Sequence, residues 1–363
     1  MTASTAARLK GLAHRLPIRL PLQVSALALA ATLAACGGGG SNSTSGDGGG
    51  TGGGGGGSGG STPTLSQRIA AATDTAASHP DCDASVLGPY YWEIGNADGM
   101  QASGRIGGSE APSRDTAMNI FSASKWLYAA SVVERRGVVD DDVPFLNFSS
   151  GYSTFGNTPV CLGGDTVASC QVLPIEQDPA SIGRFAYDSG HMQQHAATIM
   201  GLGNADNAAL AEHLRSTLGN FGFVYDVPQP ATGVVASAAG YSGFLRKLLA
   251  GNLAISRQLG THAICTNPDV PGCNAFHVAN AGATEDMDYS LGHWVESDPS
   301  VGGDGSFNSV GGGGFYPWVD KDLRYYGILA RQNAIEMDGA AHNSLVCGRL
   351  IRKAWMTGTA ITS

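Results

Sequence analysis

The sequence has no Cys-x-x-Cys pair, no block of basic residues, no internal repeat and no apolar run of membrane-spanning length. Each absence removes a class of protein. Without Cys-x-x-Cys spacing the common structural zinc sites are out, and no metal or cofactor is expected. Without a basic block, and with a formal net charge of −9 over 363 residues, nucleic acid is not an expected partner. The longest apolar stretch, Leu20 to Ala35, falls short of the roughly 20 residues a helix needs to cross a bilayer. The acidic triple Asp140-Asp141-Asp142 lacks the remaining ligands of a calcium loop and reads as a solvated turn.

What is present begins with targeting. Arg8, Lys10, Arg15 and Arg19 form a positive region free of acidic residues, and the apolar stretch that follows ends in Leu33-Ala34-Ala35-Cys36. That order is the pattern of a secretory signal. The small residues before the cysteine resemble the lipobox of bacterial lipoproteins, which implies acylation of Cys36. Residues 1–36 therefore read as a lipoprotein signal peptide. Gly37, standing where an aspartate would retain the protein, points to the outer membrane. The membrane is then met only through the lipid. Residues 37–62, almost entirely Gly, Ser and Thr, offer nothing to bury against the entropy of ordering and read as a flexible linker. Residues 63–363 remain as one folded domain with room for a substantial core.

Export places the other six cysteines in an oxidising compartment, where pairing is the default. Six cysteines admit many pairings. Nearness along the chain suggests Cys161–Cys170 and Cys265–Cys273, leaving Cys82 with Cys347.

Strand patterns gather toward the two ends of the folded part, at Tyr90–Ile94, Tyr289–Val295 and Tyr325–Ala330. Helical patterns open it at Leu65–Ser78, fill its centre at His191–Leu202, Asp206–Leu218 and Tyr241–Leu249, and close it at Ser344–Met356. The expectation is an α+β fold in which a terminal sheet packs beside a mostly helical insertion.

The chemistry concentrates in Phe121-Ser122-Ala123-Ser124-Lys125-Trp126. On a helix, residues three apart share a face, so the Lys125 amine can reach the Ser122 hydroxyl. A serine at a helix start also meets the partial positive charge there. A desolvated lysine is a plausible proton acceptor.

In this context the motif resembles the serine β-lactamase and penicillin-binding protein superfamily. The class C-like branch, with its family VIII carboxylesterases and D-aminopeptidases, is the nearest likeness. The resemblance implies an antiparallel sheet flanked by helices, and chain ends that lie together, which also joins Cys82 to Cys347. It implies a Tyr-x-Asn motif further on, met by Tyr187-Asp188-Ser189. Tyr187 takes the acid–base role, and Ser189 replaces the substrate-binding asparagine with a shorter group. The third motif, a strand beside the site, falls on Ser309-Val310-Gly311-Gly312-Gly313-Gly314. Gly311, Gly312 and Gly313 would let substrate approach the backbone. No lysine or histidine opens that segment, so the family's anchor for a substrate carboxylate is missing. Of the histidines, His293 reads as structural and His191 as a second group within reach of the cleft.

The implied function is acyl transfer to water through an acyl-Ser122, acting on a small or oligomeric ester or amide. Two other readings stand beside it: a D,D-peptidase or β-lactamase, and a non-catalytic lipoprotein that retains the fold for binding.

Overall fold

Thr64 starts the first helix by a reciprocal cap. Its side chain accepts from the amide of Gln67, and the Gln67 side chain accepts from the amide of Thr64 at 2.8 Å. The helix runs Leu65–Ser78 (α1) and stops before Pro80. This computed structural model describes residues 62–155, 161, 162, 164–170, 175–276, 285–333, 335 and 337–363. The anticipated signal peptide, Cys36 and the anticipated linker up to residue 61 lie outside them.

After a short helix Ala84–Leu87 (α2), strands Tyr90–Gly95 (β1) and Met100–Ile106 (β2) form a hairpin. A two-residue strand Met118–Asn119 (β3) leads into the central helix Ser124–Arg136 (α3). Helices Val143–Leu146 (α4), Gly190–Thr198 (α5) and Asn207–Leu218 (α6) follow. Next come strands Val224–Tyr225 (β4) and Val234–Ala236 (β5) and helix Ala238–Leu249 (α7). The chain then returns to the sheet through Ile264–Cys265 (β6), Asp288–Tyr289 (β7), Trp294–Val295 (β8), Phe307–Asn308 (β9), Tyr316–Val319 (β10) and Tyr326–Ala330 (β11). It closes with helix Met337–Thr357 (α8).

The main sheet has eight strands in the order β2-β1-β11-β10-β9-β8-β7-β6, and its pairs are antiparallel. The first and last strands, β1 and β11, are neighbours, so the two ends of the folded part meet one strand in from the β2 edge. The architecture is the α+β arrangement of a sheet flanked by helices. Period-two alternation splits β1 between two cores. Tyr90, Trp92 and Ile94 face α1 and α8, while Tyr91 faces the larger core built around α3 and α7. The three disulfides join the cysteines in the anticipated pairs, Cys82–Cys347, Cys161–Cys170 and Cys265–Cys273. The first ties the short turn after α1 to α8.

Three expectations need correction. Tyr289–Val295 is a hairpin, β7 and β8, rather than one strand. Gly292 makes its turn at a φ of 73° with α3 packed so closely that a Cβ there would strike the Lys125 carbonyl. The glycine run is not a strand either. Gly311 to Gly314 form the tight turn between β9 and β10, with the amide of Gly314 donating to Gly311 O at 2.8 Å. The third correction is Asp142, which is buried and paired with Arg136 at 2.7 Å and His195 at 3.1 Å. The acidic turn is solvated only at its other two residues.

Candidate active site

The turn that carries Ser122 is set before the helix begins. Residues Phe121–Ala123 form a single 3-10 turn, and α3 starts at Ser124. Phe121 sits in left-handed backbone with φ 46°, a conformation that costs a non-glycine residue about 1–2 kcal/mol. Several contacts hold it there. Its amide donates to the Asn119 side chain at 2.7 Å, and its ring lies against Gly313, where no Cβ would fit. Gly311 similarly leaves room only for the Ile120 carbonyl. The start of α3 is held by Tyr241, whose hydroxyl donates to Ala123 O at 2.9 Å, and by the Ser124 hydroxyl, which accepts from Val234 N at 3.2 Å. Ser122 is left half-buried at the mouth of this turn.

Lys125 lies one turn in, only 1% exposed. Its Nζ donates to Ser122 Oγ at 2.9 Å and to the backbone carbonyl of Ala231 at 3.2 Å. The ammonium also lies 5.0 Å from the ring centre of Tyr187. No carboxylate forms an ion pair with it among the described residues. Burial pulls its pKa down to about 7, and the more distant charge of Asp188 offsets only part of that. A large fraction of the amine is therefore neutral at neutral pH.

Tyr187 completes the group. Burial pushes its hydroxyl up to about 12, and its interaction with the Ser122 hydroxyl pulls the other way. The ring stacks on Trp294 at 5.4 Å and meets Tyr289 edge-on at 5.9 Å. The helix and the loop therefore bring Ser122, Lys125 and Tyr187 to one point.

The other anticipated site residues divide. Gly311 and Gly313 touch the turn that carries Ser122, and Gly312 packs near Met337. Ser309 donates to the Ser122 carbonyl at 3.1 Å, which places the third segment beside Ser122 although it is a strand end and turn. Ser189 stands at the start of α5 and makes no side-chain cap there. His191 is no second base. Its Nδ1 meets Ser150 Oγ at 2.7 Å and its Nε2 donates to Ala186 O at 2.9 Å. It stacks on Phe148, and burial drops its pKa to about 3. His293 is structural, stacked on Trp126 with both ring nitrogens bonded to backbone. Sequence reasoning missed the Ala231 carbonyl and Asn119, since neither carries a motif. A surface cleft of about 540 Å³ runs between α6 and residues 219–224 and holds none of the three.

No protein-family model matches the chain, and no curated protein sequence does. Solved structures do match. One is a candidate β-lactamase from Bacteroides dorei, 18% identical over 74% of this chain and 94% of that one, TM-score 0.53. Another is simvastatin synthase from Aspergillus terreus, 13% identical over 81% and 98%, TM-score 0.52. A third is a D-amino acid amidase from Ochrobactrum anthropi, 13% identical over 74% and 96%, TM-score 0.50. The fold is β-lactamase-like. Within this fold, α3 is buried from Ser124 to Val133, and Ser309, directly after β9, meets the turn before its N-terminus.

Proposed function

We propose that this chain is a serine hydrolase that cleaves ester or amide bonds through an acyl-enzyme on Ser122. The observation that carries the reading is the buried Lys125 amine, which forms no ion pair with a carboxylate among the described residues, 2.9 Å from the Ser122 hydroxyl. A lysine in that setting is a base near neutrality rather than a fixed cation. Neutral Lys125 takes the Ser122 proton as Oγ attacks the substrate carbonyl carbon. The backbone N–H of Ser122 and one from the turn near Gly313 receive the oxyanion. The leaving group departs with a proton from Tyr187 or Lys125, and water then releases the acyl group by the reverse relay. The low-identity structural neighbours, whose names include an amidase and a β-lactamase, are consistent with acyl chemistry on this fold.

Substrate preference follows from what is missing. No lysine or histidine opens the segment Ser309–Gly311, so substrates lacking a carboxylate beside the scissile bond are favoured over β-lactams and D-Ala-D-Ala peptides. The chain is further proposed to be exported and acylated at Cys36 toward the outer membrane. The signal pattern supports this, and three disulfides suit an oxidising compartment. Incorporation of an alkyne-tagged fatty acid that disappears in Cys36→Ser tests the anchor.

The test of function uses the purified protein with a fluorophosphonate probe, a fluorescent penicillin, and a panel of p-nitrophenyl esters, nitrocefin and D-amino-acid amides. Fluorophosphonate labelling with ester or amide turnover is expected, and Ser122→Ala should lower kcat on the order of 10⁶-fold. Turnover retained in Ser122→Ala would reject the mechanism. Labelling by penicillin with nitrocefin turnover would move the protein to the β-lactamase reading, and reaction with nothing would leave a binding protein.

A further inference from the structure

Asn119 is the last residue of β3, three positions before the nucleophile, and both ends of its amide are engaged. Its Oδ1 accepts the Phe121 N–H at 2.7 Å, holding the left-handed residue that turns Ser122 toward the cleft. Its Nδ2 donates to Asp226 Oδ2 at 2.8 Å. Asp226 opens the β4–β5 loop, which its own amide closes onto Gly233 O at 3.0 Å. Inside that loop stands Ala231, whose carbonyl accepts Lys125 Nζ at 3.2 Å. In the three-stranded sheet the order is β3-β5-β4, so the Asn119 amide reaches past β5 to join the two segments.

We propose that Asn119 is a positioning residue that sets the Ser122 hydroxyl and the Lys125 amine in register, by tying the turn that carries one to the loop that holds the other. The proposal rests on the serine-hydrolase reading of this site. Without the amide, Phe121 is free to leave the left-handed region, and Ser122 rotates away from Lys125. The Ala231 loop separately loses its tether. Both displacements act on the geometry of proton transfer, not on substrate binding, so the loss falls on kcat.

The experiment uses the full-length protein with four variants: Asn119→Ala, Asn119→Asp, Asp226→Asn, and the double variant carrying Asn119→Asp with Asp226→Asn. Asn119→Ala should lower kcat and the fluorophosphonate labelling rate by about 10- to 100-fold, the scale of a small misplacement of reacting groups, with KM within about twofold. Asn119→Asp keeps the acceptor for Phe121 N–H but sets two carboxylates together, and Asp226→Asn removes that conflict by supplying the donor from the other side. The double variant is therefore expected to recover rate that Asn119→Asp alone loses. Lysine Cε resonances followed against pH give a readout independent of turnover: the Lys125 titration should move in Asn119→Ala and return in the double variant. Wild-type kcat and an unmoved Lys125 titration in Asn119→Ala would overturn the proposal, as would a rate loss that only tracks loss of folded protein. If the wild type itself neither labels nor turns over, the hydrolase reading falls, while the Lys125 titration still decides the role of Asn119.

Discussion

Two of the places where the described residues bury charge do so in opposite ways. Beneath β8–β10, Glu296 lies fully buried between Arg349, at 2.6 Å, and Arg352, at 2.8 Å. Tyr316 and Asn308 donate to its other oxygen at 2.6 and 2.8 Å. Glu285 and Asp304 take up the remaining reach of the two guanidiniums. Burial alone would raise the Glu296 pKa, but the two arginines overcome it and hold the carboxyl down at about 2. Lys125 is buried as deeply and, among the described residues, makes no ion pair with a carboxylate; its Nζ donates to a hydroxyl and a carbonyl. There desolvation wins and the pKa falls to about 7. The same physical cost is cancelled in one cluster and left standing in the other. The paired cluster holds α8 to the sheet, whereas the lysine is left with a pKa near neutrality.

The contrast predicts stability changes of opposite sign. Glu296→Gln leaves two buried guanidiniums undercompensated and should lose about 3–5 kcal/mol, the scale for removing one partner of a buried pair. Lys125→Met should do the reverse. The Lys125 pKa is lower in the folded chain than in the unfolded one, so between about 7 and the ordinary lysine value of 10.5 the unfolded state binds the extra proton. The resulting penalty is present in full below pH 7 and fades as pH rises toward 10.5. Lys125→Met removes it, so the variant should gain on the order of a few kcal/mol at pH 7 and progressively less toward pH 10.5. Denaturant unfolding at both pH values measures each change. A Lys125→Met variant less stable than wild type at pH 7 would show that the lysine is compensated after all.

A subtler variant probes the unpaired site without altering its charge. Tyr187→Phe keeps the ring beside the ammonium and removes only the hydroxyl, so its effect isolates proton transfer. A fall in kcat of more than about 10² is expected, with thermal stability little changed. Full activity in Tyr187→Phe would return the acid–base role to Lys125 alone, since His191 already spends both ring nitrogens on Ser150 and Ala186.

The contrast also explains what the sequence could reveal. Leu65–Ser78 was readable to the residue because Pro63 and Pro80 bracket it. Ser122 and Lys125 were readable because helical spacing makes their contact nearly obligatory. Glu296 and Arg349 are 53 residues apart and meet only through the strand order, so nothing local marks them as partners. Asp142 looked like part of a solvated turn because its burial depends on His195, on a different helix. The Ala231 carbonyl was hidden because any residue supplies a backbone acceptor. The glycine segment reads as a strand only because the family resemblance places its third motif on one; the glycines that make room for Ile120 and the Phe121 ring do not by themselves distinguish a strand from a turn.

The smallest expected effect is the most discriminating, because it reads the Lys125 proton directly. If neutral Lys125 is the base, kcat/KM should rise with pH through about 7 and level off above it, since the protonated amine cannot accept from Ser122. No falling limb is expected up to about pH 10, because the Tyr187 hydroxyl holds its proton to about 12. The alternatives lie elsewhere on the axis. A carboxylate base would place the limb near 4, and an ordinary exposed lysine near 10. Of the histidines near the site, His191 at about 3 and His293 at about 4 stay neutral throughout that range. A limb at 7 therefore points to Lys125, and it should be absent from any residual activity of Lys125→Met. A rate–pH profile flat from 5 to 9 would show that Lys125 loses its proton well below 7 or is not the base, and in either case its burial would need another explanation.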